Sequence, residues 1–144
     1  MLIGEHTHII DSKKRLAIPA KFRKELGSKA VITKGLDQCL VVYPLLEWER
    51  VAEALSKLPT GKSENRNFVR DIFSGASDVE IDALGRILIP EYLKKIANLK
   101  EKVVIVGVYK RLEIWNDEMW NEYKTRVEKQ TDILAEKLGE LGVY

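Results

Sequence analysis

Short runs rich in β-branched and apolar residues alternate along the chain with polar turns and with segments of helical spacing. His6-Thr7-His8-Ile9-Ile10 and Asp78-Val79-Glu80-Ile81 predict strands, as do Leu16-Ala17-Ile18 and Ile87-Leu88-Ile89 after them. The polar residues between open on the turn formers Asp11 and Asp82, so each stretch reads as a hairpin. Pro19 and Pro90 end the second strands and suit the first position of a helix, where a missing N–H costs nothing. Ala20 to Leu26 puts Phe22 and Leu26 on one face, and Tyr92 to Ala97 puts Leu93 and Ala97 at the same spacing. Short helices therefore follow both prolines, with Gly27 as a stop.

Val31-Ile32-Thr33 with Leu40-Val41-Val42-Tyr43, and 103–108 with Leu112-Glu113-Ile114-Trp115, predict a further strand pair in each half. Leu45 to Leu58 and Asp117 to Leu138 read as helices, the latter capped by Asp117 with Glu118 in its first turn. Trp120, Val127, Leu134 and Leu141 recur at seven-residue intervals, a stripe that packs on its own domain or on a neighbouring chain. The polar stretch 58–64 is a linker candidate, and a helix carrying Phe68, Val69, Ile72 and Phe73 follows it.

These elements come twice. Asp11-Ser12-Lys13-Lys14-Arg15-Leu16-Ala17-Ile18-Pro19 aligns with Asp82-Ala83-Leu84-Gly85-Arg86-Ile87-Leu88-Ile89-Pro90 at an offset of 71. Gly4/Gly75 and Ile10/Ile81 keep that offset, whereas Val31/Val103, Leu40/Leu112, Tyr43/Trp115 and Trp48/Trp120 pair at 72, so one residue inserted near Asn98 accounts for the slip. The reading is one unit over 4–48, a helical connector over 49–74, a second unit over 75–120 and a C-terminal helix over 121–144. The fold class is α+β: two tandem hairpin-plus-helix units, related by a pseudo-twofold axis, give strands to a barrel-like core. Gly85 stands before Arg86, where a left-handed backbone is free of Cβ strain; Lys14 holds that place in the first copy, so its turn should differ in tightness.

Composition then narrows the function. A chain of 144 residues, 45% hydrophobic and 32% charged, makes one modest core or two small ones sharing an interface. One cysteine, Cys39, excludes an intramolecular disulfide, and the charged opening after Met1-Leu2-Ile3 lacks the apolar core of a signal peptide. No stretch approaches the roughly 20 apolar residues of a membrane span, so a reducing cytoplasm is expected. A net charge of +2, from 24 Lys+Arg against 22 Asp+Glu, demands no polyanionic partner in bulk. The local picture is different. Residues 11–24 carry Lys13, Lys14, Arg15, Lys21, Arg23 and Lys24 against Asp11 alone, a formal +5, while 82–95 carry Arg86, Lys94 and Lys95 against Asp82 and Glu91, a formal +1. Basic side chains on a hairpin and its adjoining helix can neutralise phosphates, and an arginine in the groove can address guanine O6 and N7.

A strand, an Asp-x-x-Gly-Arg turn, a β-branched run ending in Ile-Pro and a short helix, as in Asp82 to Pro90, resemble the swapped-hairpin DNA-binding unit of AbrB-type proteins. Two such units are similar over nearly the whole chain to the MraZ family, with Gly4-Glu5-His6 at the start, Gly35-Leu36-Asp37-Gln38-Cys39-Leu40 midway and Phe73-Ser74-Gly75-Ala76 before the second copy. The resemblance implies a nucleoid-associated transcriptional regulator that binds short repeated elements near promoters of the bacterial division and cell-wall gene cluster. It implies double-stranded DNA and further copies of the chain, in a ring, as partners, with no membrane, cofactor or small-molecule substrate. Lys14 departs from the family's usual glycine, and its charge would act on phosphates.

Each candidate also has a plainer reading. Arg15 and Arg86 can form turn salt bridges to Asp11 and Asp82, worth about 0–1 kcal/mol when exposed, and Lys21, Arg23 and Lys24 can be a solvated helix face. His6 and His8 share one side of a strand but lack a third histidine for a metal. Cys39 reads as a structural thiol, and Trp48, Trp115 and Trp120 as core anchors. No phosphate-cradling glycine loop, nucleophile elbow or metal-ligand cluster points to an enzyme. A purely structural ring protein would make the basic hairpin incidental; an antitoxin would usually carry one unit and a disordered toxin-binding tail.

Overall fold

The computed structural model describes all of residues 1–144. The first copy runs through β1 (Leu2–Ile9), β2 (Arg15–Ala17), α1 (Ala20–Leu26), β3 (Lys29–Lys34), β4 (Leu40–Pro44) and α2 (Leu45–Ser56). A connecting helix α3 (Ser63–Gly75) leads to β5 (Ser77–Glu80), β6 (Arg86–Leu88), α4 (Glu91–Ile96), β7 (Lys102–Tyr109), β8 (Leu112–Asn116) and α5 (Asp117–Glu128), and α6 (Thr131–Glu140) ends the chain. Pro19 and Pro90 sit one residue outside their helices, with ψ of 133° and 139°, and not at the first helical position. Gly27 ends α1 at a φ of 71°.

The polar turns form as the sequence predicts, but the hairpins do not. β1 and β2 share only an isolated bridge, Ile10 to Leu16. β2 pairs with β6 of the other copy, β1 with β7, and β5 with β3. Burial explains the exchange: Leu16 and Ile87 face each other at the centre of the β2–β6 ribbon at 0% and 1% exposure, closure that a three-residue strand folded on its own copy could not supply.

The remaining strands form one antiparallel sheet in the order β1-β7-β8-β4-β3-β5. Exchanging the copies reverses this order onto itself. The sheet is open, with β1 and β5 at its edges, so the expected barrel does not close; the ribbon with α1 and α4 covers the inner face instead. One core results, and equivalent positions meet in it: Leu16/Ile87, Ile18/Ile89, Phe22/Leu93, Ile32/Ile105, Leu40/Leu112 and Val42/Ile114.

Sheet register corrects the alignment of the copies. Ala30 opposes Pro44 as Val103 opposes Asn116, and Ile32 opposes Val42 as Ile105 opposes Ile114. β3 therefore matches β7 at an offset of 73, with two residues inserted after Asn98 and one fewer in the β7–β8 turn. Buried Leu99 belongs to that insertion. A run of β-formers slides by one residue without a visible mismatch in sequence; the ladder fixes it.

The outer face carries a second apolar cluster of Cys39, Val41 and Trp115, with Tyr43, Trp120 and Tyr123 against it. Trp48 lies half-buried between Tyr43 and Phe73, each ring pair 5.7 Å apart. The long C-terminal helix is two helices: the chain turns at Lys129–Gln130, where Gln130 N–H donates to Val127 O at 2.9 Å. Asn116, not Asp117, caps α5, its side chain accepting from Met119 N–H at 3.0 Å. The heptad stripe ends its packing near this break, since Leu134 is 40% and Leu141 75% exposed.

Candidate nucleic-acid interface

The ribbon register decides which side chains face outward. Arg15 opposes Leu88 and Arg86 opposes Ala17, on either side of the inward pair Leu16–Ile87. Because side chains alternate across a strand, Arg15, Ala17, Arg86 and Leu88 share the outer face.

Each arginine is aimed by its turn. Asp11 Oδ1 accepts from the backbone N–H groups of Lys13 and Arg15, both at 2.9 Å, and its Oδ2 accepts from Arg15 Nε at 2.8 Å. Asp82 repeats the pattern with Leu84, Arg86 and Arg86 Nε at 2.9, 2.8 and 2.8 Å. The backbone N–H of Arg15 or Arg86, followed by its guanidinium, holds each aspartate below the ordinary carboxylate range. The salt bridges of the plainer reading are thus present, but they take only Nε. The Nη groups make no hydrogen bond within the chain and remain a free donor edge on a guanidinium of fixed direction.

Lys14 reaches a φ of 62° beside Gly85 at 76°, and both turns close with the same bond, Lys14 N–H to Asp11 O at 3.0 Å and Gly85 N–H to Asp82 O at 2.9 Å. The difference in tightness expected from Lys14 is therefore absent. What differs is the neighbour. Lys14 Nζ pairs with Glu91 at 2.8 Å, whereas a Cβ on Gly85 would lie 2.1 Å from Arg23 Nε. Arg23 Nε itself donates to Ile18 O at 2.9 Å. Reciprocal braces join the copies, Ile18 N–H to Gly85 O at 2.8 Å and Ile89 N–H to Lys14 O at 2.9 Å.

Each turn consequently stands beside the helix of the other copy, which redistributes the charge. Turn 11–15 with helix residues 91–95 brings Lys13, Lys14, Arg15, Lys94 and Lys95 against Asp11 and Glu91, a net +3. Turn 82–86 with residues 20–24 brings Arg86, Lys21, Arg23 and Lys24 against Asp82, also +3. The imbalance read along the sequence disappears in the fold. Lys13, Lys21 and Lys24 are exposed and outside every ion pair, Lys21 with its Nζ 5.1 Å from the Phe22 ring.

The histidines do not converge on a shared site. His8 Nδ1 lies 2.7 Å from Ala17 O and tethers β1 to the ribbon, while His6 meets Phe22 edge-on at 5.3 Å with its Nε2 shut from solvent and unpartnered. Burial, then the positive charge of Lys21 and His8, depresses the His6 pKa. Cys39 Sγ donates to Leu36 O at 3.2 Å; burial, then Glu113 and Asp37, pushes its thiol up to about 12, far from a reactive thiolate. Sequence reasoning passed over the Arg23–Gly85 approach and the exposed Leu84 and Leu88, which read as ordinary hairpin residues.

The family model described as "MraZ protein, putative antitoxin-like" matches this chain twice, over residues 1–71 and 72–139. A protein of Clostridium tetani named transcriptional regulator MraZ is 48% identical over 143 residues, covering 99% of this chain and 100% of its own. Proteins of the same name from Moorella thermoacetica and Caldanaerobacter subterraneus are 48% and 49% identical, the first over 99% of this chain and 100% of its own, the second over 97% and 95%. No helix is long and apolar enough to cross a membrane. Matched in both halves by one family model, and nearly end to end by relatives at close to half identity, the chain belongs to the MraZ family.

Proposed function

We propose that the chain is a sequence-specific DNA-binding transcriptional regulator, not an enzyme, and that it reads double-stranded DNA with the β2–β6 ribbon and its two turns. Arg15 and Arg86 address bases, while Lys13, Lys14, Lys21, Arg23 and Lys24 lie on phosphates. The observation that carries this reading is the outward pair of arginines, each aimed by an aspartate through Nε with its Nη edge free. A bidentate guanine contact from such an edge is worth about 1–3 kcal/mol. Similarity to proteins named transcriptional regulators supports the same function. Its setting is the cytoplasm, at the nucleoid, on repeated promoter elements of the division and cell-wall gene cluster. In this reading the copies over 4–48 and 75–120 form the reading module, and 49–74 and 121–144 serve assembly.

The working form is a homo-oligomeric ring. An apolar groove of about 520 Å³ on the outer sheet face, lined by Val41, Tyr43, Leu55, Trp115 and Trp120 among others, supports this. So does α6, which exposes Ile133, Leu134 and Leu138. The two flanks of the chain are similar but unequal, and head-to-tail contacts between unlike surfaces close into rings when the rotation permits.

The test is a salt titration of binding to the promoter of the chain's own operon, with one or several repeats. Arg15→Ala/Arg86→Ala should lose specific binding with the oligomer intact, while Lys13→Ala should weaken all sequences and reduce the salt slope by roughly one phosphate. A double variant that binds as wild type rejects the ribbon as reader.

A further inference from the structure

The two ends of the ribbon share their arginines and differ in what surrounds them. At the offset of 71, Lys13 corresponds to Leu84 and Ala17 to Leu88. Leu88 sits on the outward face directly opposite Arg15 and is 57% exposed; Leu84, in the turn beside Gly85, is 65% exposed. Two large apolar side chains thus stand in solvent among the basic residues of the ribbon and its turns, while the equivalent positions of the first copy carry a cation and a methyl group.

We propose that Leu84 and Leu88 are apolar reading contacts for thymine C5-methyl groups in the major groove, Leu88 beside the guanine-reading edge of Arg15 and Leu84 in the turn that carries Arg86. The inference rests on the ribbon being the DNA-reading element. Thymine alone among the bases presents a methyl group in that groove, and an apolar side chain is the complement that recognises it. Cross-strand neighbours in a ladder stand about 4.5–5.5 Å apart at Cβ, so Leu88 meets DNA within about a base step or two of the Arg15 contact. The backbone there is fixed by the ladder and by the brace from Ile89 N–H to Lys14 O, so Leu88 is presented from a rigid strand. Removing one methyl from water is worth about the burial of a CH₂, roughly fourfold in affinity.

The experiment uses the promoter fragment of the chain's own gene, amplified with dTTP or with dUTP, so that the second duplex lacks every thymine methyl. Wild type, Leu84→Ala/Leu88→Ala and Arg15→Ala/Arg86→Ala are titrated on both, with the assembly checked by light scattering. Wild type should bind the uracil duplex roughly fourfold more weakly for each methyl contacted. The leucine variant should bind the thymine duplex at that reduced level and lose nothing further on uracil. Equal binding of wild type to both duplexes overturns the inference, as does a leucine variant with the full thymine preference. If either holds while the arginine variant loses binding, the ribbon remains the reader and only the leucine assignment fails. An arginine variant that binds as wild type removes the reading on which both rest.

Discussion

Lys14 and Gly85 occupy one left-handed turn position under opposite constraints. Gly85 has no room for a side chain because Arg23 crosses it; the residue equivalent to Arg23 is Lys94, and Lys14 turns instead to Glu91. Lys14→Gly should therefore relieve about 1 kcal/mol of backbone strain, offset in part by an exposed ion pair, and urea unfolding should show a small net gain. Gly85→Lys should cost more, about 2 kcal/mol, since it adds the same strain and displaces Arg23 from Ile18 O. His6 makes a pH prediction. Its depressed pKa means that the fold prefers the neutral ring, so its contribution is present above the unfolded value near 6.5 and is lost as pH falls through the folded value. His6→Phe should flatten the decline in stability between about pH 7 and 5, measured by thermal unfolding across that range.

Among the elements, β1 depends on a paired absence of side chains. Gly4, at a φ of 97°, opposes Gly107, where a Cβ would lie 2.5 Å from Ile3 N and 2.6 Å from Leu2 C. Gly107→Val should cost about 1–3 kcal/mol or detach the start of β1, read as faster hydrogen exchange of the Ile3 to His6 amides with the rest of the sheet protected. The sequence pairs Gly4 with Gly75, but Gly75 is the last residue of α3, and β5 is correspondingly shorter than β1. Local periodicity made α1, α4 and both strand pairs legible, together with the Asp–Arg turns that aim Arg15 and Arg86. It carries no information on which strand lies beside which across some 70 residues, so the exchange of β2 and β6 was legible only through the resemblance to swapped-hairpin units, and the open sheet and the redistribution of charge had no local signature. Leu88 passed unnoticed for a related reason: within a run of β-formers nothing local marks which face it takes, and only the register turns it outward.

For the whole molecule, the proposed function assigns assembly and reading to opposite faces of the sheet. Deleting 131–144 removes residues that are nearly all exposed within one chain, so the unfolding midpoint should hardly change, while light scattering should report a smaller assembly. A full-length chain that is monomeric at micromolar concentration would remove the ring from the proposed function. The exchanged ribbon also bears on synthesis. The first half leaves the ribosome with the whole basic run from Lys13 to Lys24, yet β2 has no partner until Arg86 to Leu88 follow and β7 and β8 give the sheet its other half. Under the proposed function, a chain stopped early holds much of the positive charge without the assembled ribbon, so only completed translation yields a competent DNA reader.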